Sequence, residues 1–112
     1  MIALVVALGM SGAGLQGNAG STVLPRKNFG MCLNKVVEQK ADEKLAEDAF
    51  KAAAKTACAK EETSFRTAWV SYEVSMKTKR ADAEQNANSQ IDDYLANAIE
   101  TYKEMQVPVA PK

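Results

Sequence analysis

The chain contains no histidine, so the commonest general base, proton shuttle and metal ligand is missing. Any reactive site must be built from carboxylates, amines, hydroxyls or thiols, which disfavours most hydrolase and metalloenzyme chemistry. Net charge is missing too: fourteen Lys and Arg oppose fourteen Asp and Glu in 112 residues, leaving no overall attraction for a polyanion. Glycine and proline are absent from 77 consecutive positions, 31 to 107, because all six glycines lie at or before Gly30 and the prolines are Pro25, Pro108 and Pro111. That stretch holds fourteen alanines, and a long run without either helix breaker is a helical composition. The length is that of one domain.

Residues 1 to 25 carry no charged side chain. The run Met1 to Leu8 is apolar, and small or polar residues follow it through Gly20. This is the layout of a secretory signal, and Gly17-Asn18-Ala19 supplies small side chains for cleavage after Ala19. The opening Lys or Arg of such a signal is absent. A retained membrane anchor is the alternative, since about 20 apolar residues span a bilayer as a helix. Five glycines with Ser11, Gln16 and Asn18 between residues 9 and 20 make a poor lipid-facing helix. A disordered tail is the third reading. A short extended segment, 20 to 27, is expected to follow, and residues 106 to 112, with Pro108 and Pro111, are expected to be a disordered tail.

Only two cysteines are present, Cys32 and Cys58. Their midpoint, position 45, lies in the highly charged stretch 41 to 48. A turn there would send two antiparallel helices away from the bend and bring the sulfurs opposite each other, the condition for a disulfide. Such a bond persists in an oxidising compartment, periplasmic or secreted. Two buried free thiols are the other reading. A CxxC redox pair is excluded by the spacing, and a zinc site lacks its remaining His or Cys ligands.

Apolar periodicity predicts three helices, at about 28–40, 46–77 and 79–105. In the first, Phe29, Cys32, Leu33, Val36 and Val37 fall on one face, with Asn28 as cap and Gly30 in the first turn. In the second, Phe50, Ala54, Cys58, Phe65, Trp69, Tyr72 and Met76 follow one drifting stripe that Glu61 interrupts, so either the helix bends near Thr63-Ser64 or that carboxylate lies at the edge of the buried face. In the third, Ala83, Ala87, Ile91, Leu95, Ala98 and Tyr102 repeat at helical spacing, with Thr78 as the expected cap. Residues 26 to 80 hold twelve basic and eight acidic side chains, and 81 to 112 two basic and six acidic. These complementary halves favour folding the third helix onto the others. The expected fold is all-α: a disulfide-pinned antiparallel hairpin plus a third helix, a small three-helix bundle. A helical hairpin clasped by one disulfide in a small exported chain resembles the lysozyme-inhibitor type of periplasmic protein in outline. No motif matches residue by residue, so neither site nor activity is carried over.

Candidate sites are few. Glu62 and Arg66 are spaced as an ordinary i, i+4 pair, and an acid at Glu61 or Glu62 beside Trp69 and Tyr72 lacks the partner base or nucleophile that would name a reaction. Asp92, Asp93, Glu100 and Glu104 lack the loop spacing of a calcium site and read as a solvated face. Lys77, Lys79 and Arg80 have no interleaved aromatic, which disfavours nucleic acid. The aromatics read as core, yet so long a second helix would leave Phe65, Trp69, Tyr72 and Met76 partly uncovered unless the third helix or a partner lies over them. The expected role is therefore that of an exported, non-enzymatic interaction or structural module. Its partner is another protein or a second copy, no metal or cofactor is expected, and membrane contact arises only if the N-terminus is uncleaved. A membrane-anchored accessory protein is the alternative.

Overall fold

The computed structural model of the chain describes residues 19–106. The expectations for a signal peptide over 1–19 and a tail beyond residue 106 fall outside them, apart from Ala19 itself. Every regular element among the described residues is helical. A 3-10 turn, η1 (Ala19–Thr22), leads into α1 (Val23–Gln39); a second, η2 (Ala41–Glu43), precedes α2 (Glu47–Ala57); α3 (Ala59–Ser75) and α4 (Arg80–Gln106) complete the chain.

Residues 20–27, expected to be extended, instead form η1 and the first turn of α1. Pro25 does not prevent this, because it occupies the third helical position, where a backbone N–H has no intrahelical acceptor to lose. The earlier start moves Gly30 from a first turn into the body of the helix. A Cβ there would meet Tyr94 at 3.7 Å, an ordinary contact, so the space does not demand glycine.

The second predicted rod is two helices, divided at Cys58; the second of them runs unbroken through Thr63-Ser64, with Glu61 half-buried at the edge of the packed face. Cys58 has φ −109° and ψ 22°, outside helical values. The hydrogen bonds flanking it survive: Cys58 N–H donates to Ala54 and Glu62 N–H to Cys58, both at 2.9 Å. The helix is thus interrupted at one residue, the one that is bonded to α1. Sulfur joins Cys32 to Cys58 with the Cα atoms 5.9 Å apart, and no free cysteine remains.

Thr78 does not open the last helix. Lys77, at φ 75°, takes the left-handed position that closes α3. Its N–H donates to Val74 at 3.0 Å, and the N–H of Thr78 donates to Glu73 at 2.9 Å. This pair of bonds is a Schellman ending. The first bond of α4 instead runs from Ala83 N–H to the Lys79 carbonyl, 2.9 Å.

Burial follows the predicted stripes. Phe29, Leu33, Val36 and Val37 of α1, Phe50 and Ala54 of α2, Cys58 and Phe65, and Ile91, Leu95, Ala98 and Tyr102 of α4 form one core. Rings organise it: Phe29 lies 5.9 Å from Phe65 and 5.6 Å from Tyr94, centroid to centroid, and Phe50 stacks on Tyr102 at 4.2 Å. A second, smaller cluster holds Val70, Ala83 and Ala87, with Trp69 and Val74 against it.

Tyr102 also closes the bend between α1 and α2. Its hydroxyl donates to the Lys40 carbonyl at 2.6 Å and accepts the Leu45 N–H at 3.0 Å, while Gln106 Nε2 donates to the Ala41 carbonyl at 3.1 Å. Lys44, with φ 50°, supplies the left-handed residue that turns the chain there. Tyr102→Phe keeps the ring on Phe50 and strands both backbone groups, so it is expected to cost about 1 to 3 kcal/mol. Urea unfolding followed by far-UV circular dichroism measures this, and a loss below about 0.5 kcal/mol would show that the hydroxyl does not hold the bend.

Candidate functional site

The sequence singles out Phe65, Trp69, Tyr72 and Met76 as a possible contact surface. The first three lie on α3 and Met76 caps its C-terminal end, and the structure orders them along a gradient of exposure. Phe65 is 0% exposed. It sits 5.9 Å from the Trp69 ring and 5.6 Å from Tyr94, so it is core and leaves the proposed surface. Trp69 and Tyr72 are half-buried, their rings edge to face at 6.5 Å. Met76, the residue that ends α3, is 61% exposed.

Local packing explains the gradient. Around Phe65 three helices contribute to the core, whereas the cluster beyond Trp69 is made only of α3 and α4 residues. On α4 that cluster has Ala83 and Ala87, side chains too short to cover the whole indole of Trp69, and Tyr72 and Met76 belong to neither cluster. The η1 turn packs against α3 and buries Thr22 to 2% exposure, so part of the cover foreseen for this helix comes from the start of the described chain. The indole Nε1 of Trp69 is buried and has no acceptor among the described residues. An unpaired buried donor of this kind costs about 1 to 3 kcal/mol, which marks this junction of the two clusters as imperfectly satisfied.

Charged residues flank the site in ordinary pairs. Glu62 accepts from Lys55 and from Arg66, each at 3.3 Å, and Arg66 also donates to Asn88 of α4. The i, i+4 pair read from the sequence is thus present and extended across to α4. Asn86 Nδ2 donates to Glu73 at 2.8 Å, tying the outer parts of α3 and α4 together. Glu61 does not approach Trp69 as a buried acid: it is half-buried in the wall of a different groove. Asp92, Asp93, Glu100 and Glu104 are exposed along α4, and Lys77, Lys79 and Arg80 are exposed or nearly so around the α3–α4 turn.

One feature escaped the sequence reading. A groove of about 440 Å³ opens between α1 and α3 beside the disulfide, with Asn28, Met31 and Lys35 on one wall and Lys60, Glu61 and Ser64 on the other. Met31 is the available signal. It stands off the stripe of Phe29, Leu33 and Val36 and is 56% exposed. Among the described residues no group of three or more Cys, Asp or Glu side chains converges as a metal set, and no helix is long and apolar enough to cross a membrane. The disulfide itself suits an oxidising environment. No protein-family model, curated protein or solved structure matches the chain.

Proposed function

We propose that this is an exported, non-enzymatic helical module, periplasmic or secreted, that binds another protein or a second copy of itself through the outer part of α3. The observation that carries the reading is the thin end of the bundle. Trp69 lies at the edge of a cluster with alanine on its α4 side, and Tyr72 and Met76 stand beyond it, outside both packed clusters. Aromatic and methionine side chains that are partly covered and carried on a rigid helix are the usual anchors of protein interfaces. A disulfide-closed hairpin supports export, because such a bond survives outside the reducing cytoplasm.

The test uses Tyr72→Ser with Met76→Ser, changes at partly or well exposed positions that leave the Phe29 and Phe65 core untouched. Sedimentation over a concentration series reads self-association, and capture from the native envelope reads a protein partner. The double variant is expected to weaken whichever association occurs by tenfold or more, at about 1 to 2 kcal/mol per anchor, with thermal unfolding little changed. A wild-type protein that stays monomeric and captures nothing, or a variant that associates as well as wild type, defeats the reading. Intact mass of the same material reports export by the loss of residues 1–19. A full-length species that partitions into detergent favours the anchored alternative instead.

A further inference from the structure

We propose a second contact face, on the outward side of α1, that rests on an anionic lipid surface. Five large apolar side chains are well exposed among the described residues, and three lie within nine positions of α1: Val23 at 55%, Leu24 at 62% and Met31 at 56%. At 100° per residue, Leu24, Lys27, Met31 and Lys35 wind onto the side opposite Phe29, Leu33 and Val36, which face the core. The helix therefore has an apolar face toward the bundle and a second, narrower apolar strip, set among lysines, toward solvent.

Charge selects the occupant. From Val23 to Gln39, α1 carries Arg26, Lys27 and Lys35 against one acid, Glu38, and Lys60 stands across the groove that opens beside Met31. Glu38 falls on the same outward strip, between Lys27 and Met31 at 100° per residue, and Glu61 lies in the groove wall, so the face keeps a basic excess but is not free of carboxylates. The exposed Asp92, Asp93, Glu100 and Glu104 belong to α4, whose solvent side turns away from α1 because the two helices pack against each other. The molecule is neutral overall but electrically lopsided, and a negative plane draws α1 toward it and repels α4. A soluble polyanion would use the lysines alone. The exposed Val23, Leu24 and Met31 gain nothing from it, and the face has no ring on which bases could stack. A bilayer uses both sets: lysines at the headgroup phosphates, and the three apolar side chains at the acyl boundary, as in an interfacial helix. This face does not include Tyr72 or Met76, so it stands or falls separately from the interaction surface on α3.

Vesicle sedimentation tests it with the protein recovered from its native host, disulfide intact. Vesicles containing phosphatidylglycerol are expected to bind at least tenfold more tightly than pure phosphatidylcholine, and the difference should shrink as salt rises. Lys27→Gln with Lys35→Gln should weaken that binding about 25-fold, at about fivefold for each lysine near the surface. Lys51→Gln with Lys79→Gln, an equal loss of charge elsewhere, should leave it within about twofold. Leu24→Ser with Met31→Ser should weaken it with no change of charge. Equal binding to both vesicle types, binding to neither, or equal losses from the two lysine pairs overturns the proposal. Undiminished binding by the Leu24 and Met31 variant overturns the lipid in favour of a soluble polyanion.

Discussion

Phe29→Ala is expected to destabilise the protein by about 3 to 5 kcal/mol, the range for deleting a fully buried ring. Phe29 is 0% exposed and packs against the rings of Phe65 and Tyr94, which also contact each other, so its removal leaves a hole where α1, α3 and α4 meet. Backbones fixed by helical hydrogen bonds collapse poorly into such a hole, which places the cost toward the upper part of the range. Small domains have about 5 to 15 kcal/mol in total; the variant should therefore show a large fall in urea midpoint at unchanged slope. A midpoint shift worth less than about 1.5 kcal/mol would mean that the three rings are not packed as described.

The second large effect is expected on opening the Cys32–Cys58 bond, by reductant or by serine at both positions. The bond closes a loop of 26 residues' separation, and in the chain-entropy treatment its loss stabilises the unfolded ensemble by about 3 to 4 kcal/mol. Burial adds to this. Cys58 is 0% exposed, so Cys58→Ser places a hydroxyl in the core, and Cys58→Ala with Cys32→Ala separates the two contributions. Thermal unfolding in the presence and absence of reductant should differ by well over ten degrees for a domain of this size. Equal transitions would show that the cross-link does not restrain the hairpin.

The sequence carried the stripes and the cross-link, and for physical reasons. Phe29, Leu33, Val36, Ile91, Leu95 and Tyr102 are spaced for one helical side, and all six are buried. The bend of the hairpin spans 40–46, where charge replaces periodicity. Punctuation was less legible. Pro25 reads as a barrier, yet the first helical turn has no bond for it to break. Lys77 and Lys44 occupy left-handed positions where glycine or asparagine would have announced the turn. The break at Cys58 belongs to a tertiary tether, which no local propensity encodes. Phe65 was assigned to a surface because periodicity identifies a side of a helix without saying how many neighbours cover it. The stripe that is sealed by three helices at Phe65 has, from Tyr72 onward, no residue in either packed cluster.

The ring that fastens the first bend arrives late in the chain. Tyr102 reaches back 62 residues to Lys40 and 57 to Leu45, and Gln106 reaches back 65 to Ala41. The α1–α2 corner is therefore completed only by contacts of high sequence separation, so truncating the final turn of α4 removes the groups that close a corner some sixty residues earlier in the chain.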